Sequence, residues 1–208
     1  MTALSTNSAA AAVAGEREES STVADGERED SSTAAVAEPT IRVLDIRLGT
    51  SVDGPGLRTS IYCAGCENRC AGCHNPQSWD PQGGEEMSVG ELFARIVEAD
   101  MNVTFTGGDP MLHPAGFAAL ARMIRERTDK TIWCYTGYSF ERLMEHDGRR
   151  ELALLCDVIV DGPYVASERD LSLRFRGSRN QRIIDVDRSL CGEVTLMTDF
   201  QRSKPSEG

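Results

Sequence analysis

The organisation of this chain follows from residues 63–75, which read Cys63-Ala-Gly-Cys66-Glu-Asn-Arg-Cys70-Ala-Gly-Cys73-His-Asn75. Cys66, Cys70 and Cys73 follow C-x3-C-x2-C spacing. Three thiolates in so short a loop can surround one inorganic core, and an iron–sulfur cluster held by three thiolates leaves one iron open to an exogenous ligand. The spacing therefore favours a cluster site with a vacant coordination position.

Two other interpretations of this loop remain open. With Cys63 included, the loop holds two C-x-x-C pairs separated by three residues, which is also the donor set of a four-cysteine zinc site. Zinc ribbons usually separate their pairs by about a dozen residues or more, so such a cage would be cramped. A redox dithiol is the third possibility. Cys63 also ends a predicted strand, where a buried and inert cysteine is common.

Periodicity outside the loop alternates between strand and helix. A capping box at Ser88 and Glu91 predicts a helix that starts there. Further helices are predicted at residues 114–127, 140–145 and 151–155. Strands are predicted at residues 41–48, 57–63, 102–106, 131–135, 157–160 and 183–186.

This alternation predicts an α/β fold with a largely parallel sheet covered by helices. A complete eight-fold barrel needs about 250 residues, and the roughly 160 residues available here cannot close one. An open or partial (β/α) barrel, or a doubly wound sheet, is therefore expected. Both folds gather ligands at the carboxyl ends of the strands, where the cysteine loop follows one strand.

The first 38 residues differ in composition from the rest of the 208-residue chain. They hold eight acidic and two basic residues, and so six of the eleven net negative charges. A near-repeat of residues 13–22 at 23–33 lies within them. So polar a segment cannot bury a core, so we predict a disordered acidic segment at 1–38, a folded domain at 39–198 and a loose tail at 199–208.

Charge and hydropathy exclude several classes of protein. The folded part is mildly acidic, which argues against nucleic acid as a partner. No run of about 18 apolar residues is present, so no transmembrane helix and no membrane association are expected. The chain shows no signal-peptide pattern, so the cytoplasm is the expected compartment. Thiols stay reduced there, and clustered cysteines more often hold a metal than form disulfides.

A second motif, downstream of the cysteine loop, narrows the interpretation of that loop. Thr106-Gly107-Gly108-Asp109-Pro110 follows a predicted strand downstream of the cysteines. Together with the loop, it resembles the pattern of radical S-adenosylmethionine enzymes. Further stretches are similar to one branch of them, the activating enzymes of anaerobic (class III) ribonucleotide reductases. These stretches are Asp53-Gly-Pro-Gly-Leu-Arg58, Cys73-His-Asn-Pro-Gln-Ser-Trp79, Trp133-Cys-Tyr-Thr-Gly-Tyr138, Asp157-Val-Ile-Val-Asp-Gly-Pro163 and Arg176-Gly-Ser-Arg-Asn-Gln181.

The resemblance, which covers roughly residues 41–186, implies roles for particular residues. Cys66, Cys70 and Cys73 would ligate a [4Fe-4S] cluster. The remaining residues would bind S-adenosyl-L-methionine: Gly72, Cys73 and His74 at its adenosyl part, and Gly107 and Gly108 at its methionine amino group. Asp109, counted with these residues, would accept a hydrogen bond from backbone or ligand. Asn68 stands where the family often has histidine, and His74 where it usually has an aromatic residue.

The resemblance also implies an activity and its partners. A reduced cluster would cleave S-adenosylmethionine to methionine and a 5′-deoxyadenosyl radical, which would take a hydrogen from a glycine of the reductase large subunit. The catalytic chemistry would belong to the cluster and its ligand rather than to a side chain. Reduced flavodoxin is the electron donor that the family implies. A pyruvate formate-lyase activase and a zinc-stabilised interaction module remain the alternatives.

Overall fold

The computed structural model describes residues 38–190 and 193–200. The predicted disordered segment at 1–38 lies outside the described residues except for Glu38, and most of the predicted tail at 199–208 also lies outside them. Glu38 Oε1 accepts a hydrogen bond from Gly90 N at 2.5 Å. Within the described residues, no helix combines the length and apolar composition needed to cross a membrane.

One sheet of eight strands runs through the described part of the chain. The strands are β1 Thr40–Thr50, β2 Arg58–Cys63, β3 Glu85–Ser88, β4 Asn102–Gly107, β5 Ile132–Tyr135, β6 Val158–Asp161, β7 Arg182–Asp185 and β8 Thr195–Leu196. Their order is β3-β1-β2-β4-β5-β6-β7-β8. The central strands β2, β4, β5 and β6 are parallel, whereas the two strands on each flank pair antiparallel. The predicted parallel arrangement is therefore confirmed only for the centre.

Five α-helices are described: α1 Val89–Ala99, α2 Pro114–Arg127, α3 Phe140–Met144, α4 Asp147–Leu155 and α5 Val186–Ser189. The predicted capping box begins α1, where Ser88 Oγ accepts from Glu91 N at 3.2 Å and Glu91 Oε2 accepts from Ser88 N at 3.1 Å. Helix α2 joins β4 to β5, and α3 with α4 joins β5 to β6. These crossovers are what parallel neighbours require.

Side chains of the strands alternate between two hydrophobic clusters, one on each face of the sheet. Ile132 and Cys134 of β5 belong to the larger core, which includes residues of α1, α2 and α4. Trp133 belongs to a smaller cluster on the other face. The ring of Phe200 packs edge-on to Trp133, with 5.8 Å between centroids. Phe200 thus packs on the folded domain, and the predicted boundary of the tail at residue 199 stays a prediction.

The predicted α/β class is confirmed, and the sheet is open. Strands β3 and β8 stand at its two ends, and no pairing joins them among the described residues. That the sheet curves into a partial barrel stays a prediction. The carboxyl ends of the four parallel strands lie at one edge, where the segments after β2, β4, β5 and β6 meet.

Candidate functional site

A cavity of about 240 Å³ opens at the carboxyl ends of the parallel strands. It is called the main pocket here. Six of the residues predicted from the sequence line it: Cys66, Cys70, Cys73, His74, Gly107 and Gly108. Two others, Gly72 and Asp109, are not among the described residues of its lining. The fold thus brings together two motifs that are more than thirty residues apart.

The three loop cysteines present their thiols at the surface of this pocket. Cys66, Cys70 and Cys73 are half-buried and carry free thiols. Among the described residues, no three Cys, His, Asp or Glu side chains are placed to hold one metal ion. A cluster of four irons does not require convergence on a single point, because each thiolate binds a different iron. Soft thiolate donors spread around one cavity therefore suit a cluster better than a single zinc ion.

Cys63 does not join the other cysteines. Its side chain is fully buried in the larger core, and burial raises the pKa of its thiol far above the ordinary value. It is also absent from the described lining of the main pocket. A thiol that must ionise to bind zinc is disfavoured in such a position. The four-cysteine zinc site is therefore not supported by the structure.

The cysteine loop, defined as residues 64–75, is fixed at its start by backbone hydrogen bonds. Ala64 N donates to Arg42 O of β1 at 2.9 Å, and Gly65 N donates to Ser78 O at 2.8 Å. The ring Nε2 of His113 lies 2.7 Å from Ala64 O. Gly72, further along the loop, has φ +77°, and a Cβ there would lie 3.6 Å from the ring of Tyr164. The loop thus leaves β2 in a defined direction.

Gly107 and Gly108 lie directly against the chain that enters the cysteine loop. A Cβ on Gly107, whose φ is +102°, would lie 2.5 Å from Cys63 N. A Cβ on Gly108 would lie 2.2 Å from Gly65 O. Only glycine fits at either position, because the obstructing atoms are backbone. The sequence suggested close approach to a ligand, and the structure adds close approach to the loop itself.

Asp109 accepts hydrogen bonds from the protein. Its side chain is buried beneath the main pocket and is surrounded by protein donors. Oδ2 accepts from Gly137 N at 2.9 Å, and Oδ1 accepts from Met111 N at 3.0 Å. Burial outweighs these hydrogen bonds and raises the pKa of Asp109 to about 6. Backbone donors thus satisfy one of the two expectations for Asp109, and a contact with the ligand stays a prediction.

Asp53 is a pocket residue to which the sequence assigned no role. It lines the main pocket and also a neighbouring cavity of about 530 Å³. Its Oδ2 accepts from Tyr62 Oη at 2.7 Å and from Thr50 Oγ1 at 3.0 Å. The Asp53-Gly-Pro-Gly motif marks a turn in the sequence, but the side chain's direction depends on the contact with Tyr62 of β2. Tyr135 and His74 also line both cavities.

Arg58 is the clearest departure from expectation for a charged residue, which is ordinarily solvated or paired with an acid. Its side chain is 1% exposed. Nε donates to Thr104 Oγ1 at 2.7 Å, and Nη2 donates to Val103 O at 2.6 Å and Thr131 O at 3.1 Å. Desolvation lowers its pKa to about 10. Arg58 of β2 therefore contacts β4 and the residue just before β5 from inside the fold.

The basic segment at residues 173–182 is mostly engaged within the fold. Arg182 Nη1 donates to Glu141 Oε1 at 2.9 Å, and the same guanidinium is paired with Asp161. Arg179 Nε donates to Asp170 Oδ2 at 3.2 Å. These arginines stabilise the connection between β6 and β7. They leave little free positive charge for nucleic acid, whose absence as a partner stays a prediction.

Comparison with known proteins assigns the family. The model of the 4Fe-4S single cluster domain matches residues 52–184. An anaerobic ribonucleoside-triphosphate reductase-activating protein of Vibrio cholerae is 35% identical over 144 residues, which are 64% of this chain and 90% of that protein. The chain belongs to this family of activating proteins. As a member it is an enzyme, a radical S-adenosylmethionine activase of the oxidoreductase class.

Two further members carry the same name. The protein of Escherichia coli K12 is 32% identical over 146 residues, 62% of this chain and 89% of that protein. The protein of Enterobacteria phage T4 is 34% identical over 142 residues, 64% of this chain and 86% of that protein. Among solved structures, QueE from Escherichia coli has a TM-score of 0.40 at 17% identity, and covers 47% of this chain and 52% of that chain. This likeness adds nothing to the assignment.

Proposed function

We propose that this protein activates an anaerobic ribonucleoside-triphosphate reductase by generating a glycyl radical on its large subunit. S-adenosylmethionine and a reduced [4Fe-4S] cluster supply the chemistry, a reductive cleavage to methionine and 5′-deoxyadenosine. One observation carries the proposal, namely that the three loop thiols and the Gly107-Gly108 backbone line one pocket. The names of the relatives support the reductase as the target, and favour it over pyruvate formate-lyase.

Different residues of the main pocket would bind the cluster and the two ends of S-adenosylmethionine. Cys66, Cys70 and Cys73 would hold the cluster, since they are the accessible thiols of the loop. Gly107 and Gly108 would border the methionine end, where absent side chains leave backbone polar groups accessible. His74 lines the pocket beside the cysteines and would contact the adenosyl part. Gly72 would contribute through backbone, because glycine has no side chain.

The protein partners follow from the chemistry. A glycine Cα can lose hydrogen only if the partner's segment reaches the pocket, so a docking surface for the reductase is required. The reaction also consumes an electron, for which reduced flavodoxin is the proposed donor. Both partners must reach the main pocket, because the loop thiols that would hold the cluster line it.

Anaerobic reconstitution tests this proposal directly. The protein, loaded with iron and sulfide, is mixed with reductant, S-adenosylmethionine and the candidate reductase. We expect about four irons per chain, formation of 5′-deoxyadenosine and a glycine-centred electron paramagnetic resonance signal. A protein that binds one zinc, or that never yields 5′-deoxyadenosine, would overturn the proposal.

Two cysteines of the same C-x-x-C pair provide a matched control. Cys66→Ala should lose the cluster, because it removes a proposed ligand from the main pocket. Cys63→Ala should keep the full iron content, because it alters only a buried core position. Equal iron loss in both variants would make Cys63 a ligand and return the four-cysteine interpretation.

A further inference from the structure

A polar cluster at the wall of the main pocket connects the cysteine loop to the ends of two strands. Its members Asn68, Thr136 and Gly137 line the pocket. Its centre is the carboxylate of Asp109, which follows β4 and is 1% exposed. Oδ2 of this group accepts from Asn68 Nδ2 of the loop at 3.2 Å. The same oxygen accepts from Thr136 Oγ1 at 3.1 Å and Gly137 N at 2.9 Å, just after β5. One buried oxygen therefore joins three separate segments.

Asn68 lies between two of the proposed cluster ligands. It lies midway between Cys66 and Cys70, two residues from each. Its amide also packs against Gly137, where a Cβ would lie 2.2 Å from Asn68 Nδ2. The absence of a side chain at Gly137 thus creates the space that the amide fills. Position and orientation of Asn68 are both determined by residues outside the loop.

A second contact holds the same part of the loop at its outer side. Tyr138 Oη donates to Glu67 Oε2 at 2.6 Å. Glu67 is exposed, so water can replace this partner if it is removed. Water has little access to Asp109, and loss of its loop contact leaves a buried group without one of its donors. The inner contact should therefore constrain the loop more strongly than the outer one.

We propose that Asp109 and Asn68 are a positioning pair that fixes segment 66–70 of the cysteine loop against the carboxyl ends of β4 and β5. The inference rests on the proposed function, and it concerns how two of the three thiols reach their places. In this role Asp109 acts through Asn68 and not through a contact with the ligand. The Gly-Gly-Asp-Pro motif then has two roles toward the loop: its glycines pack against the loop backbone, and its aspartate holds Asn68 by a hydrogen bond.

Thiol reactivity in the metal-free protein tests the pair without any need for activity. Asn68→Leu preserves the approximate size of the side chain and removes its donor. Alkylation followed by mass spectrometry should show Cys66 and Cys70 reacting about tenfold faster than in the unaltered protein, the change expected from losing roughly 1.4 kcal/mol of restraint. Buried Cys134 should remain unreactive, which shows that the fold is intact. Rates at Cys66 and Cys70 within twofold of the unaltered protein would overturn the proposal.

The reconstituted enzyme provides the second readout. Asp109→Asn and Asn68→Leu should both change the electron paramagnetic resonance spectrum of the reduced cluster and slow 5′-deoxyadenosine formation by about tenfold or more. The double variant should be little worse than Asp109→Asn alone, because Asp109→Asn already disrupts the contact with Asn68. Additive losses, or an unchanged spectrum in Asn68→Leu, would refute the pairing.

Asp157→Asn is the matched control. Asp157 Oδ2 accepts from Ile132 N at 2.6 Å, at the opposite end of β5. The same chemical change there should leave loop reactivity and the cluster spectrum unaltered. If the unaltered enzyme forms no 5′-deoxyadenosine, the proposed function fails, whereas the alkylation rates still decide whether the pair holds the loop.

Discussion

Replacing Gly108 by alanine should destabilise the fold through contact with backbone. The new Cβ would lie 2.2 Å from Gly65 O and 3.1 Å from Cys63 O. Those two carbonyls accept from Asp109 N at 2.8 Å and from Gly108 N at 2.7 Å. Relief of the clash must therefore lengthen two backbone hydrogen bonds. At about 1 kcal/mol for each bond and about 1–3 kcal/mol for overpacking, the loss is about 3–5 kcal/mol.

Thermal unfolding of the metal-free protein, followed by circular dichroism under reducing conditions, measures this loss. For a domain of this size the Tm should fall by roughly 6–20 °C. Gly148→Ala is the control. Gly148 lies in α4, and a Cβ there would lie 3.6 Å from Pro114 Cγ of α2, which is an ordinary van der Waals contact. Alanine favours a helix, so the Tm of that variant should be unchanged or up to about 4 °C higher.

A Gly108→Ala protein that melts within about 2 °C of the unaltered one would contradict the packing described here. The same variant should also lose iron on reconstitution, because the displaced backbone leads directly into the cysteine loop. Retention of full iron content despite a large fall in Tm would separate the two effects. It would show that loop geometry does not depend on Gly108.

Three further outcomes follow. Arg58→Ala should lower the free energy of unfolding by about 3–5 kcal/mol in urea titrations, because it removes buried hydrogen bonds to Thr104 and neighbouring carbonyls together with stem packing; a loss below about 1 kcal/mol would contradict its role. Burial raises the pKa of Asp109 to about 6 from an ordinary 3.8, so between these pH values the folded state binds more protons than the unfolded state. The free energy of unfolding should therefore fall by about 3 kcal/mol as pH rises from about 4 to 6. Asp109→Asn should abolish this pH dependence, and its persistence in that variant would assign it to another residue. Phe117→Ala should cost about 3–5 kcal/mol by denaturant unfolding, since its buried ring lies 4.7 Å from that of Phe105; an unchanged midpoint would be inconsistent with this packing.

Local sequence signals predicted α1, α2, α3 and the central strands closely, whereas α4 starts four residues earlier than predicted and α5 was not predicted. The capping box at Ser88 marks the start of α1, and the bounds of α2 agree with the prediction. Strand β3 escaped detection because Glu85-Glu86-Met87-Ser88 has no apolar alternation and is an edge strand, where charged residues are common. Strand β8 has only two residues. The antiparallel direction of β7 has no local signature, since direction is set by the path of the preceding connection.

The sequence predicted those parts of the site that depend on the spacing of residues within a short motif. Cys66, Cys70 and Cys73 and the two glycines meet in one pocket because the fold places their strands side by side. The contacts that hold the loop were not predictable, because Asn68 and Asp109 are 41 residues apart in sequence. The burial of Arg58 was not predictable for a similar reason. A charged residue is ordinarily at the surface, and only the tertiary structure supplies its buried acceptors.

The unequal burial of the described cysteines has a practical consequence for handling the protein. Cys63, Cys134 and Cys156 are sealed in the interior, whereas the three loop thiols are accessible. Oxidising agents attack accessible thiols first, so air should damage the loop while the fold survives. A preparation can therefore melt normally and still have lost its capacity for iron, and a count of titratable thiols is a better test of its quality than any measurement of folding.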